Sequence, residues 1–190
     1  MAPMDAITLL KQDHKTVKGL FREFEKLGDN ATASKSRVVN EIVKELSIHA
    51  AIEEMLFYPA VRDASPDMVL ESLEEHHIVK WVLSELDGMS PEHERFDAKV
   101  TVLIENVRHH VEEEEQDLFP RVSKAMSRSE LDDLGEAMAR AKKTVPTHPH
   151  PRSPDEPPAN LVAGAGAALM DKARDAGRKL VRQKVTQKVS

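Results

Sequence analysis

The chain contains no cysteine, and glycine is scarce, with seven among 190 residues. Disulfides, thiolate chemistry, zinc fingers and iron–sulfur clusters are therefore excluded, which leaves histidine and carboxylate as the strong side-chain metal ligands. Haem bound through histidine stays open. No apolar run is long enough to cross a bilayer, and the N-terminus lacks the charged and apolar regions of a signal peptide. We therefore expect a soluble, cytoplasmic protein.

Charge divides the chain near Val145. Residues 1–145 carry a net charge of −10, whereas residues 146–190 carry +4. Phosphate binding needs a dense basic surface, which the acidic part does not offer. We expect no nucleic-acid partner.

Apolar residues recur at helical spacing through residues 1–145, and strand-like alternation is absent, which predicts an all-α domain. Capping and turn signals predict four long helices and one short helix. Three of the long helices are predicted at 5–27, 34–62 and 66–88, and the fourth starts at 90–91. The short helix starts at 127. The last start is a capping box formed by Ser127 and Glu130. Pro59 and Pro120 should each end or kink a helix.

Residues 146–158 are proline-rich and predict an extended, poorly ordered linker. The following segment, 159–190, has seven Lys and Arg residues and predicts a basic amphipathic helix that could lie on an anionic membrane or an acidic partner. A solvated or loosely packed extension is the alternative. The apolar positions that would share one face are Leu169, Ala173, Ala176 and Leu180.

An internal duplication is the clearest pattern. HAAIEEMLFYP at 49–59 reappears as HVEEEEQDLFP at 110–120, so His-x-x-x-Glu-Glu-x-x-x-x-Pro occurs twice, 61 residues apart. Two further histidines, His14 and His76, lie 62 residues apart, each directly after an acidic residue. What repeats most clearly is a set of imidazoles and carboxylates, which indicates metal ligands rather than packing residues.

Helical spacing places these groups on the inner faces of the four helices. The candidate ligands are His14, His49, Glu53, His76, His110 and Glu114. Buried carboxylates cost several kcal/mol unless they are protonated, paired or coordinated, and no Lys or Arg recurs on those faces. Four imidazoles and two bridging carboxylates supply about eight bonds, against about twelve for two octahedral ions, so two ions with open positions fit best.

This doubled motif resembles the hemerythrin-like, or HHE cation-binding, family of non-haem diiron proteins over residues 5 to about 125. The resemblance implies an up-and-down four-helix bundle that holds two non-haem irons, bridged by an oxo or hydroxo group and by Glu53 and Glu114. The ferritin-like alternative uses Glu-x-x-His pairs, a different spacing. Manganese or zinc could bind the same ligand types.

Oxygen-carrying hemerythrins have a fifth histidine one turn from the helix 3 ligand, where this chain has Ser72 or Lys80. Tyr58, the only tyrosine, is a candidate extra ligand or redox residue. It lies nine residues after His49, on the opposite side of an ideal helix, so the alternative is a packing aromatic unless a kink at Pro59 turns it inward.

The remaining histidines are expected at the surface. His77 and His109 adjoin ligands but point about 100° away on the helix. They should be surface residues or lie just outside the ligand set. His93, His148 and His150 should be solvated.

The resemblance implies a protein that binds and turns over a small oxygen or nitrogen species, either hydrogen peroxide in a catalase-like cycle or nitric oxide. No catalytic residue beyond the metal ligands is identifiable. The alternative is a non-catalytic oxygen or iron sensor, or a storage module, that signals through the basic tail.

Overall fold

The structure is a computed structural model that describes residues 4–155, 157, 159–160 and 163–172. These residues form an all-α fold, as predicted, with no strand among them. The long helices are α1 (Ala6–Phe24), α2 (Thr32–Ile52), α4 (Pro66–Leu86) and α5 (Phe96–Glu113). The shorter ones are α3 (Tyr58–Val61), α6 (Phe119–Ala125) and α7 (Arg128–Ala141).

The long helices pack side by side around a closed ring, since α1 contacts α2 and α5, and α4 contacts the same two. Helices α1 and α2 run antiparallel: Glu23 pairs with Arg37 at one end, whereas Asp13 lies 3.7 Å from His49 at the other. Equivalent ion pairs show that α4 and α5, and α1 and α5, are also antiparallel. Residues far apart in sequence thereby meet at one level.

Two apolar clusters fill the interior. One includes Phe57 and Leu118, and the other includes Phe21 and Leu83, all four without solvent exposure. Burying one such side chain stabilises the fold by about 1.5–3 kcal/mol. The repeated histidines lie between the two clusters, so the hydrophobic effect fixes the helices on both sides of the polar site.

Each helix that carries the repeated motif ends in a five-residue π-helical turn, Glu53–Phe57 or Glu114–Leu118. In each case the next amide donates to the carbonyl five residues earlier. Pro59 and Pro120 follow the turns, and a proline ring clashes with the carbonyl four residues before it in a regular α-helix. The wider turn avoids that clash and rotates the following residues by about one position, or about 100°.

Most predicted boundaries lie close to the observed ones, with one clear exception. The capping box of Ser127 and Glu130 is confirmed at the start of α7, and α4 begins at Pro66 as predicted. The predicted start at 90–91 is wrong, because α5 begins at Phe96. Two successive turns precede it, closed by bonds to the Ser90 and His93 carbonyls at 3.0 and 2.9 Å.

The prediction that His148 is solvated is wrong, because its side chain is buried. Its Nδ1 lies 3.1 Å from Asp87 Oδ2, and its backbone amide donates to Asp171 Oδ2 at 3.1 Å. His150 Nε2 lies 3.2 Å from Asp171 Oδ1 and is partly exposed. These acidic partners are distant in sequence, so local pattern could not reveal them.

The described part of the tail, 159–160 and 163–172, is helical. Asn160 donates to the Glu54 carbonyl at 3.1 Å, and Ala167 is buried, whereas Leu169 is exposed. The other positions of the predicted apolar face, Ala173, Ala176 and Leu180, lie outside the described residues. Among the helices described, none has the length and apolar character needed to span a bilayer. The cytoplasmic location stays a prediction.

Gly135 is the close-packing point between α7 and α1. A Cβ at this position would overlap the Met4 carbonyl oxygen and lie 2.7 Å from the Ala6 backbone nitrogen. Because backbone atoms cannot move aside without separating the helices, Gly135→Ala should lower the free energy of unfolding by about 1–3 kcal/mol, measured by urea denaturation of the metal-free protein.

Gly19→Ala is the matched control for Gly135→Ala. Gly19 lies within α1 and has nothing within 4 Å of its added Cβ, so this variant should be unchanged or more stable by up to about 1 kcal/mol. Equal stability of the two variants would contradict the close packing of α7 on α1.

Candidate metal centre

The structure brings all six predicted ligand residues together in the interior. Each is at most 4% exposed. The rings form two neighbouring pairs, with centroids 5.0 Å apart in one and 4.8 Å apart in the other. The pairs are His14 with His49 and His76 with His110. Each long helix contributes one histidine, because the duplicated spacing sets all four at one level.

Each glutamate lies between the two histidine pairs. Glu53 Oε2 is 3.1 Å from His49 Nε2 and 3.3 Å from His76 Nε2. Glu114 Oε2 stands in the same relation to the other two histidines, at 3.3 and 3.6 Å. One carboxylate thus reaches both pairs, which is the position that a bridging ligand needs.

The ligand separations suit metal ions. Two ligands on one ion lie about 3 to 3.4 Å apart when the bonds are about 2.0–2.1 Å long, and His76 Nε2 lies 3.2 Å from His110 Nε2. One group that could hold an ion is His14, His49, Glu53 and Glu114, and the other is Glu53, His76 and His110. Glu53 belongs to both, so the two groups adjoin.

Several buried atoms here lack a hydrogen-bond partner among the described residues. Four of them belong to the candidate ligands: His14 Nε2, His49 Nε2, Glu53 Oε1 and Glu114 Oε2. An unsatisfied buried polar group costs about 1–3 kcal/mol. Because several lie in one place, their combined cost needs compensation. A bound cation supplies it, and the residues therefore fit a metal ion.

The two carboxylates differ in the metal-free protein. Burial raises the pKa of Glu53 well above its usual range, and the neighbouring Glu114 raises it further. Burial also acts to raise the pKa of Glu114, but the charge of His110 and the imidazole of His14, 3.3 Å away, outweigh it and lower that pKa to about 2. Metal binding must therefore compete with the neutral form that burial favours at Glu53, whereas the ionised form is favoured at Glu114.

The outer nitrogen of each histidine, Nδ1, faces a carboxylate that comes from an adjacent helix or from the turn that follows it. The pairs are His14 with Glu115 at 2.9 Å, His49 with Asp13 at 3.7 Å, His76 with Glu54 at 3.2 Å and His110 with Glu75 at 2.7 Å. A carboxylate at Nδ1 fixes the ring so that the Nε2 lone pair points inward. We call these four residues the orienting carboxylates.

The sequence prediction did not assign the orienting carboxylates, although a signal was present. Each of them directly precedes or follows a predicted ligand. The duplication repeats both arrangements, since an acidic residue comes before His14 and before His76, and a second glutamate follows Glu53 and Glu114. The neighbours of the ligands therefore repeated together with the ligands.

Three orienting carboxylates also bind a lysine. Lys142 pairs with Asp13, Lys80 lies 2.8 Å from Glu54, and Lys18 lies 3.1 Å from Glu115. Burial raises the pKa of Glu54 to about 7 against the opposing effect of Lys80. Lys80 occupies one of the two positions where oxygen-carrying hemerythrins could place the fifth histidine. Its ammonium group pairs with the Glu54 carboxylate.

Tyr58 lies among the ligand atoms. Its hydroxyl is 3.0 Å from Glu114 Oε1, 3.2 Å from His76 Nε2 and 3.5 Å from Glu53 Oε2. The ideal-helix argument placed it on the opposite side, but the π turn before it adds the rotation that brings the phenol inward. Burial raises the pKa of Tyr58 well above its usual range, with Glu114 and Glu53 adding to the shift.

Ser72, at the other position of the missing fifth histidine, lies beside Tyr58 and acts to lower its pKa against the effect of burial. The small serine leaves space that the phenol occupies. His77, His93 and His109 are exposed, as predicted.

The sequence model of the hemerythrin HHE cation binding domain matches residues 5–122. The chain belongs to this family. An uncharacterized hemerythrin-like protein of Schizosaccharomyces pombe is 33% identical, over 86% of this chain and 82% of its own length. The crystal structure of an HHE cation binding domain-containing protein from Mycobacterium kansasii superposes with a TM-score of 0.63, at 29% identity, over 73% of this chain and 85% of that one. A DNA nickase of Nostoc sp. is 27% identical over 75% of this chain but only 40% of its own length.

Membership of the HHE family agrees with the buried cluster, and both indicate a metal-binding protein. The orienting role of Glu115 can be tested directly. Glu115→Ala should weaken metal binding about 10- to 100-fold, because His14 loses the carboxylate that fixes its ring. Competition with a chromophoric chelator measures this affinity.

Gln116→Ala is the control for Glu115→Ala. Gln116 is exposed and hydrogen-bonds to Glu112, away from the histidines. Its substitution should leave the metal affinity unchanged. Equal affinities for the two variants would remove Glu115 from the site.

Proposed function

We propose that this HHE protein is an up-and-down four-helix bundle with two non-haem irons, which share an oxo or hydroxo bridge. It binds and turns over a small oxygen or nitrogen species, hydrogen peroxide in a catalase-like cycle or nitric oxide. The proposed ligands are the six buried residues, with Tyr58 as an additional ligand or redox residue.

A small cavity beside the four histidines carries this proposal. Its volume is about 20 Å³, and its apolar lining includes Val17, Leu46, Val79, Val107 and Val111. A cavity of about 10–15 Å³ on this measure admits one water molecule. The space therefore suits a diatomic molecule or peroxide and excludes an organic substrate of ordinary size.

Bound irons would supply Lewis acidity and electrons to a ligand in that space. The protein's own groups position and protect it. The orienting carboxylates hold the four rings, and the valine and leucine side chains exclude bulk water. Burial favours the neutral form of Glu53 in the metal-free protein, and the Tyr58 hydroxyl donates a hydrogen bond to Glu114 Oε1.

The test measures metal content by mass spectrometry, then the consumption of hydrogen peroxide and nitric oxide by the iron-loaded, full-length protein. We expect two irons per chain and rapid consumption of one of the two molecules, with oxygen evolution if the cycle is catalase-like. His49→Ala should lose both its iron and the consumption of hydrogen peroxide or nitric oxide. His93→Ala, at an exposed histidine, is the matched control and should keep both. An iron-loaded protein that neither binds nor consumes either molecule would overturn the proposal.

The acidic charge of this chain does not favour the DNA-nicking activity that the name of the Nostoc relative indicates. This chain corresponds to 40% of that protein, and residues 1–145 carry a net charge of −10. An acidic domain is a poor surface for a phosphate backbone.

A non-catalytic sensor or storage module is the second candidate, and one contact favours it. Asn160 of the tail donates to the carbonyl of Glu54 within the π turn, and the Glu54 side chain binds His76. The tail could therefore report a change at the centre. If the protein is a sensor, it binds nitric oxide without turning it over, and Asn160→Ala should change its affinity for nitric oxide. In an enzyme, turnover should persist in this variant.

A further inference from the structure

A third group of potential metal ligands lies at the surface, beside the two buried groups of the centre. His109 Nε2 is 3.4 Å from Glu113 Oε1 and 3.9 Å from Glu75 Oε1. Each of the three residues offers one ligand atom, all within 4.8 Å of one another. His109 and Glu113 repeat the His-x-x-x-Glu spacing one residue before the buried pair, so α5 presents the same motif on two neighbouring faces.

Among the described residues, the carboxylates of this group have histidine neighbours but no lysine or arginine partner. The other three orienting carboxylates each pair with a lysine, whereas no lysine or arginine of the described residues pairs with Glu75. Its neighbours are His109 and a second carboxylate, Glu113. An imidazole between two carboxylates is a ligand set for a divalent cation, which would take the place that lysine holds elsewhere.

The duplication does not explain the group. The first-half positions equivalent to His109 and Glu113 are Ile48 and Ile52, which are buried apolar residues. The equivalent of Glu75 is Asp13, and its second oxygen binds Lys142. The surface group therefore arose in one half only, beside an otherwise repeated site.

We propose that Glu75, His109 and Glu113 bind a divalent metal ion and that this site captures iron for the buried centre. The capture role rests on the proposed diiron function, whereas binding at the surface does not. Iron cannot reach the buried ligands directly, since each is at most 4% exposed. Glu75 Oε2 accepts from His110 Nδ1 at 2.7 Å, so only the His110 ring separates the surface ion from the ligand nitrogens.

The first test titrates metal-free, full-length protein with Co²⁺ near neutral pH and follows binding by calorimetry. The wild type should bind one ion more than the His109→Ala/Glu113→Gln variant, with the buried ions unaffected. His77→Ala is the control, because His77 is also exposed and also adjoins a ligand, but it belongs to no metal-binding group of the described residues. It should bind as many ions as the wild type. Equal stoichiometry in the wild type and the double variant would overturn the surface site.

The second test measures how fast the buried centre fills with limiting Fe²⁺ under anaerobic conditions. A charged capture site raises association rates by at least about tenfold, so the double variant should load more slowly by that factor but reach the same final iron content. Loading at the wild-type rate would overturn the capture role. A wild type that binds the surface ion but no buried ions would instead contradict the diiron function and leave the surface site standing.

Discussion

Glu53→Gln and Glu114→Gln should both abolish metal binding, but they should change the stability of the metal-free protein differently. An amide cannot supply the anionic bridging oxygens that two cations require. In the metal-free protein burial favours the neutral form of Glu53, and glutamine is a neutral group of the same shape. The charge of His110 favours the ionised form of Glu114, and Glu114→Gln leaves the buried His110 without that carboxylate.

The sign follows from the direction of each pKa shift. The lowered pKa of Glu114 gives stability that is present above its ordinary value of 4.5 and is lost as the pH falls toward 2. Glu114→Gln should therefore cost about 3 kcal/mol or more at neutral pH. The raised pKa of Glu53 opposes folding above pH 4.5, so Glu53→Gln should leave the metal-free protein as stable or more stable.

Urea unfolding of metal-free samples at neutral pH measures the difference, and metal content by mass spectrometry measures the shared loss. Glu112→Gln is the control, since Glu112 is exposed on α5 and hydrogen-bonds only to Gln116 among the described residues. It should keep both metal and stability. Equal destabilisation by Glu53→Gln and Glu114→Gln would contradict the assigned protonation states.

Tyr58→Phe should remove a low-energy phenolate absorption band from the ferric protein while two irons remain bound. The hydroxyl lies as close to His76 Nε2 and Glu114 Oε1 as the proposed ligand atoms lie to one another. A phenolate there would fill one open iron position. Its loss should change the rate of peroxide or nitric oxide consumption, which the same samples can report.

Ser72→Ala is the matched control for Tyr58→Phe, because it removes the hydroxyl beside the phenol and keeps the phenol itself. This variant should keep the band with a shifted maximum. A ferric wild type with two irons and no phenolate band would restrict Tyr58 to a hydrogen-bonding role with Glu114.

The clustering of the six candidate residues could be predicted because the duplication placed chemically unusual residues on inward faces twice. The orientation of Tyr58 could not, since helical-wheel reasoning assumes 3.6 residues per turn, and the π turn before Pro59 changes that spacing locally. The start of α5 was misplaced because Ser90 and Pro91 carry the same local signal as Ser65 and Pro66.

Long-range partners set the remaining limits. His148 is buried because Asp87 and Asp171 meet it from distant parts of the chain, and no periodicity encodes that pairing. The orienting carboxylates depend on how neighbouring helix segments face one another. Their adjacency to the ligands was visible in the sequence, but their partners were not.

The ring of orienting carboxylates also shows how the two halves of the chain depend on each other. Asp13 faces His49 within the first half and Glu75 faces His110 within the second, whereas the other two pairs join the halves. Two identical hairpins related by a two-fold axis would make all four contacts, as in an isologous dimer. Neither half therefore orients all of its own histidines without the other.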